Sequence, residues 1–153
     1  MLILLFAALM LLASPCEAQG AGTAGPQGTA YVDLAGNALF GATLNGEVFV
    51  GPQLAMRLGF GADAVTRTKV VPMQAVVLLG SGRSRFEIGA GVTIAREKYS
   101  GDWHWNGTKA FASGFIGYRY QRERGVMVHV GVVPLMWTNR KLPWGTIGVG
   151  RSF

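Results

Sequence analysis

The chain has 153 residues, enough for one domain and not for two. Half of them are apolar, only 14% are charged and 23 are glycine, which argues against an ordinary soluble domain, where about a quarter of residues are charged. The formal charge of +6 is scattered over turns and loop ends, so no basic stripe for nucleic acid forms.

Leu2 to Leu12 is an apolar run, too short for the roughly 20 residues that span a bilayer as a helix. Ser14-Pro15 breaks it, and Cys16-Glu17-Ala18 supplies the small residues of an A-x-A-like cleavage site. The expected organisation is a signal peptide over 1–18, cleaved near Ala18, then a short flexible segment over 19–30 and a barrel domain over 31–153. Cleavage removes Cys16, the sole cysteine, so no disulfide supports the mature fold. No later apolar run is long enough for a membrane helix, so any membrane placement of this chain uses strands.

From Tyr31 onward the sequence alternates with period two. Eight strands are predicted: Tyr31–Leu39, Thr43–Val50, Gln53–Gly61, Lys69–Leu79, Arg85–Arg96, Gly114–Gln121, Val126–Val133 and Trp144–Phe153. The clearest is the fifth, where Phe86, Ile88, Ala90, Val92 and Ile94 oppose Glu87, Gly89, Gly91, Thr93 and Ala95. Tight turns are expected at 50–52, 80–84 and 122–125, on the side of the termini. On the other side one long connection is expected, 97–108, with modest ones near 37–42, 64–68 and 138–141. The fold class that follows is all-β: an eight-stranded antiparallel up-and-down barrel.

Alternation alone does not say which face is inside. A secreted calyx of the lipocalin type turns its apolar face inward, whereas a transmembrane barrel turns it outward. The less apolar face here is built from Gly, Ala, Thr and Ser, among them Gly89, Gly91, Gly117, Gly148 and Gly150. Water-facing strands favour Lys, Glu, Arg and Thr with glycine depleted. A narrow eight-stranded interior favours small residues, which selects the transmembrane arrangement. The ionisable residues on this face are Asp33, Glu47, Arg57, Glu87, Arg119 and His129. Enclosed charges must be paired, so these six are expected to form a salt-bridged plug. Arg67, Lys69, Arg96, Lys98, Lys109, Arg140 and Lys141 fall at the outer rim, against Asp63, Glu97 and Asp102. A positive rim of this kind suits contact with lipid headgroups, including lipopolysaccharide phosphates. Tyr118 and Tyr120 near one turn, and Trp137 and Trp144 around the last outer loop, suit an interface level.

The closing segment, Pro143-Trp144-Gly-Thr-Ile-Gly-Val-Gly-Arg-Ser-Phe153, resembles the last strand of bacterial outer-membrane barrels. Tyr31-Val-Asp-Leu-Ala-Gly-Asn37, Phe86-Glu-Ile-Gly-Ala-Gly-Val92 and Gly114-Phe-Ile-Gly-Tyr-Arg-Tyr-Gln121 are similar to segments of a group of small, largely uncharacterised members. The resemblance implies an outer-membrane location and an assembly signal at Ile147, Val149 and Phe153 that the barrel-assembly machinery reads. Arg151 departs from the aromatic residue more usual there. The resemblance implies no activity.

Nothing in the residues points to catalysis. A lipid hydrolase or acyltransferase would need a nucleophile with a base in reach. Of the two histidines, His129 is expected mid-strand facing inward, and His104 in the loop Gly101-Asp-Trp-His-Trp-Asn-Gly107. One loop histidine and one aspartate fall short of a metal set, and no cofactor motif is present. The expected role is structural or surface-interacting, with Trp103 and Trp105 of the 97–108 loop as a contact. The alternatives are a secreted lipocalin-like ligand carrier and a membrane-embedded lipid-modifying enzyme.

Overall fold

The computed structural model describes residues 27–38, 41–64, 67–97, 107–137 and 140–153, the side chains of 97 and 135–142 excepted. The expected leader and its expected cleavage site, and Lys98, Asp102, Trp103, His104 and Trp105, lie outside the described residues. Eight strands follow in chain order: β1 Gly28–Ala35, β2 Ala42–Phe49, β3 Leu54–Ala62, β4 Lys69–Leu79, β5 Ser84–Glu97, β6 Gly107–Gln121, β7 Gly125–Trp137 and β8 Arg140–Ser152. Each pairs antiparallel with the next, and β8 returns to β1, so the sheet is a closed barrel without a free edge.

The strand ends differ from expectation in three ways. β1 already begins at Gly28, inside the segment 19–30 expected to be flexible, because Gly28, Thr29 and Ala30 pair with β2. β1 stops at Ala35 because the backbone there turns left-handed, with φ of 62° at Ala35 and 69° at Gly36, and a 3-10 turn over Gly36–Ala38 follows. At the outer end, β6, β7 and β8 are longer than their alternation suggests. The ladders continue to Glu97↔Gly107 and Trp137↔Arg140, since backbone groups of neighbouring strands satisfy one another whatever the side chains are. The expected 97–108 loop therefore shrinks to 98–106, and the 138–141 loop to 138–139. The one long outer connection expected, between β5 and β6, is present but shorter, and the modest one between β7 and β8 is reduced to two residues.

Two prolines mark local lapses in pairing. The β3–β4 bridges skip from Leu58↔Met73 to Gly61↔Val70, around Pro72. The β6–β7 bridges skip from Ile116↔Val132 to Ser113↔Leu135, around Pro134. A proline has no N–H to give to a ladder.

The two faces have opposite character. On the outside, Leu58, Phe60, Val130 and Val149 are 58, 56, 55 and 59% exposed, and Phe86 and Ile88 share that face. On the inside lie Glu47, Arg57, Glu87, Arg119 and His129, all nearly inaccessible to solvent. Apolar residues inside form small patches: Ala55, Val76 and Leu78 against Phe49, and Phe115 and Val133 against Phe111 and Trp144. Trp144 was expected at the interface. It is instead half-buried within the barrel, because it shares strand parity with the inward Thr146.

Candidate functional site

All six ionisable residues assigned to the inner face meet in the lumen. Glu47, Arg57 and Gln74 are successive register partners on β2, β3 and β4. Arg57 Nε donates to Glu47 Oε1 at 2.7 Å, its Nη1 to Gln74 Oε1 at 3.1 Å, and its Nη2 bridges to Glu87 Oε1. From β6, Arg119 donates Nη1 to Glu47 Oε2 at 2.6 Å, Nη2 to Glu47 Oε1 at 2.7 Å and Nε to Glu87 Oε2 at 2.9 Å. Two guanidinium groups and two carboxylates thus alternate around a closed ring. Charge-assisted, fork-like bonds of this kind are the strong class of buried hydrogen bond.

His129 and Asp33 extend the ring through a gap left by a glycine. Gly148 is the register partner of His129 on one side and of Asp33 on the other. A methyl there would collide with both Asp33 Oδ1 and His129 Nε2. With hydrogen in its place, the two side chains meet across β8 at 2.5 Å. The other ring nitrogen, Nδ1, lies 3.3 Å from Glu87 Oε2. Both imidazole nitrogens donate only when the ring is an imidazolium. In that form the cluster is neutral, with Arg57, Arg119 and His129 against Asp33, Glu47 and Glu87. Asp33 Oδ2 also accepts from Asn45 Nδ2 at 3.0 Å.

Aromatic rings wall the cluster. Phe115 stacks on His129 with centroids 5.0 Å apart, and Tyr31 meets the same imidazole edge-on at 5.0 Å. The Arg57 guanidinium lies 5.4 Å from the Tyr31 ring centroid and 5.3 Å from that of Phe115, within cation–π range. The Tyr31 hydroxyl donates to Glu47 Oε1 at 3.0 Å. The polar chain continues toward both mouths. On one side Gln74 Nε2 reaches Ser113 Oγ at 3.3 Å, which accepts from Thr93 Oγ1 at 2.8 Å. On the other, Gln121 Nε2 donates to Thr29 Oγ1 at 3.0 Å and Ser152 Oγ at 2.9 Å.

Tyr31, Asn45, Gln74, Phe115 and Gln121 were not assigned to the site from sequence. Strand parity places each on the inner face and was the signal available. Both ring nitrogens of His129 are engaged, Nε2 with Asp33 and Nδ1 with Glu87. Among the described residues no group of His, Cys, Asp and Glu is arranged to hold a metal ion.

Four of the expected outer-rim cations gather on one arc. Lys69 is the register partner of Arg96, Lys109 opposes Ala95 on the next strand, and Arg67 precedes β4 with φ of 57°. All four are exposed. Arg140 and Lys141 belong to β8, and their side chains lie outside the described residues. Asp63, expected on the rim, is buried, because the backbone folds back there and its N–H donates to Thr68 O at 2.8 Å. At the other end, Ile147, Val149 and Phe153 all face outward and are exposed. The last residue closes the barrel, its carbonyl accepting from Gln27 and Gly28 N–H at 2.9 and 3.1 Å.

No protein-family model matches the chain, and no curated protein matches it in sequence. Solved structures do match in fold. The crystal structure of the N-terminal β-barrel domain of Pseudomonas aeruginosa OprF aligns with a TM-score of 0.66 at 16% identity, over 85% of this chain and all of that one. A de novo designed transmembrane β-barrel aligns with a TM-score of 0.55 at 14% identity, over 87% of this chain and 98% of that one. The designed barrel TMB2.3, solved by solution NMR, gives 0.57 at 15% identity, over 87% and 98%. The chain therefore has the closed eight-stranded fold that a small outer-membrane barrel and designed transmembrane barrels share.

Proposed function

We propose that the protein is an exported barrel of the bacterial outer membrane, with a structural or surface-interaction role and no catalytic activity. The observation that carries this reading is the inverted polarity of the sheet. Large apolar side chains such as Leu58, Phe60 and Val149 stand on the outer surface, while the ionised ones are sealed inside. A soluble calyx needs the reverse, because in water so extensive an apolar exterior drives association. In hydrocarbon the same exterior is solvated, and the closed ladder leaves no backbone group unpaired at an edge. The likeness in fold to the OprF barrel domain supports the same reading. The test is fractionation with gel mobility. A barrel pelleting with outer membranes and shifting in mobility on boiling supports the proposal. A soluble monomer in the periplasm or medium refutes it in favour of a secreted ligand carrier.

In this reading the ring of Glu47, Arg57, Glu87 and Arg119, with Asp33 and His129, is a plug that fills the narrow lumen. Ion conductance across a planar bilayer holding the purified protein would refute the plug. Arg67, Lys69, Arg96 and Lys109, with Lys98, Arg140 and Lys141, are the proposed contacts to lipopolysaccharide phosphates. Charge-neutral variants that insert and melt like the parent in lipopolysaccharide-containing bilayers would remove that assignment. Ile147, Val149 and Phe153 are the proposed assembly signal for the barrel-assembly machinery.

A further inference from the structure

The turn side of the barrel carries its own concentration of positive charge. Arg83 lies in the β4–β5 turn, Arg122 and Arg124 lie in the β6–β7 turn, and Arg151 lies near the end of β8. These positions are neighbours in space. Gln121 N–H donates to the Arg83 carbonyl at 2.7 Å and so joins the two turns. Arg151 is the register partner of Val126, whose own carbonyl accepts from Arg122 N–H at 3.1 Å. Val126, 53% exposed, thus sits among Arg122, Arg124 and Arg151.

All four arginines are exposed, and among the described residues no ion pair reaches them. Glu123 is the one acid in the two turns, and the β2–β3 connection, Val50-Gly51-Pro52-Gln53, has no charge. The cations are therefore confined to one arc of the rim. Arg85 is different: it donates to the Gly82 and Pro52 carbonyls at 3.1 and 3.3 Å and ties the turns together.

The arc is continuous with the apolar exterior. Arg151 stands on the same face of β8 as Ile147 and Val149, and Tyr118 and Tyr120 are exposed on the strand that leads to Arg122. We infer that Arg122, Arg124 and Arg151, grouped around Val126 with Arg83 beside them, bind the phosphate of an anionic phospholipid in the leaflet on the turn side. The guanidinium forks match phosphate oxygens bidentately, and the acyl chains lie along Val126 and Val149. A soluble acidic polymer has no use for this junction of arginine and hydrocarbon-facing valine. The inference rests on the membrane reading above.

The purified protein is reconstituted in phosphatidylcholine containing a minor fraction of phosphatidylglycerol, and the lipid it retains is identified by native mass spectrometry. The parent retains phosphatidylglycerol in preference. Arg122→Gln/Arg124→Gln/Arg151→Gln lowers that retention about tenfold or more. Arg151→Gln alone, which leaves both turns intact, lowers it in the same direction. Gln53→Ala, in the uncharged β2–β3 connection on the same side of the barrel, leaves it unchanged. Equal retention by parent and triple variant overturns the inference, as does a parent that binds purified peptidoglycan fragments and shows no headgroup preference. Mobility on boiling, scored on the same samples, separates the failures: a protein that never enters the bilayer removes both proposals, whereas an inserted barrel without headgroup preference removes this one alone.

Discussion

Replacing Arg119 by Met takes away the cation that holds both glutamates of the lumen from one side. Arg119 makes three short charge-assisted bonds, to Glu47 Oε2, Glu47 Oε1 and Glu87 Oε2 at 2.6, 2.7 and 2.9 Å, and it is fully buried. Removing one partner of a buried ion pair costs about 3–5 kcal/mol, because the other partner is left buried and uncompensated. Arg57 still contacts both carboxylates, which sets the expected loss for Arg119→Met at the low end, about 3 kcal/mol. Glu87→Leu, which leaves two arginines competing for Glu47, costs a similar amount. The double variant leaves two whole pairs, Glu47 with Arg57 and Asp33 with His129, so its expected loss is under about 2 kcal/mol. The cycle then shows a coupling of about 4 kcal/mol or more. The assay is urea unfolding in lipid vesicles, followed by tryptophan fluorescence and by loss of the folded gel band. Single variants that each cost under about 1 kcal/mol, or a double variant equal to their sum, would refute the reasoning.

Three further outcomes follow from packing and backbone geometry. A side chain at Gly131 meets Ile116 O at 2.5 Å and the Phe115 ring at 2.6 Å, whereas one at Gly46 meets nothing within 4 Å; Gly131→Val is therefore expected to cost about 1–3 kcal/mol and Gly46→Ala almost nothing, and equal melting of the two would contradict this. Leu58→Arg puts a charge on the outer face beside the lumen ring and is expected to destabilise the lipid-embedded barrel by about 2–4 kcal/mol; an unchanged unfolding midpoint in vesicles would count against lipid contact there. Ala35→Gly removes a left-handed strain of about 1–2 kcal/mol, offset in part by about 0.4–1 kcal/mol of added chain entropy when unfolded. The net is a gain of up to about 1.5 kcal/mol, and a loss on denaturant melting would contradict it.

The alternation that revealed the strands is a local property, and what it left hidden is non-local. Parity alone put Asp33, Glu47, Arg57, Glu87, Arg119 and His129 on one face, because each stands in register with glycines or small residues along its own strand. Gln74 escaped because β4 is apolar on both faces, with Val70, Val76 and Leu78 inside and Met73, Val77 and Leu79 outside. Its place beside Arg57 is a cross-strand fact. The joining of His129 to Asp33 over Gly148 depends on β8 lying between β7 and β1, which no single strand records. Trp144 shows the cost of reading residue type before parity: an indole suits an interface, but its even number set it inside with Thr146. The outer extensions of β6, β7 and β8 lack alternation altogether and are strands through their neighbours' hydrogen bonds.

The span of the lumen contacts constrains how such a molecule comes into being. Glu47 and Arg119 are 72 residues apart in the chain, and Asp33 and His129 are 96 apart. In the membrane reading proposed above, a nascent sheet holding only the first three staves would carry two carboxylates and one guanidinium across hydrocarbon with their counterparts still outside. Ionised groups in that setting cost several kcal/mol each. Insertion hairpin by hairpin is therefore disfavoured, and curling must run together with entry, so that neutrality arrives when the first and last staves meet.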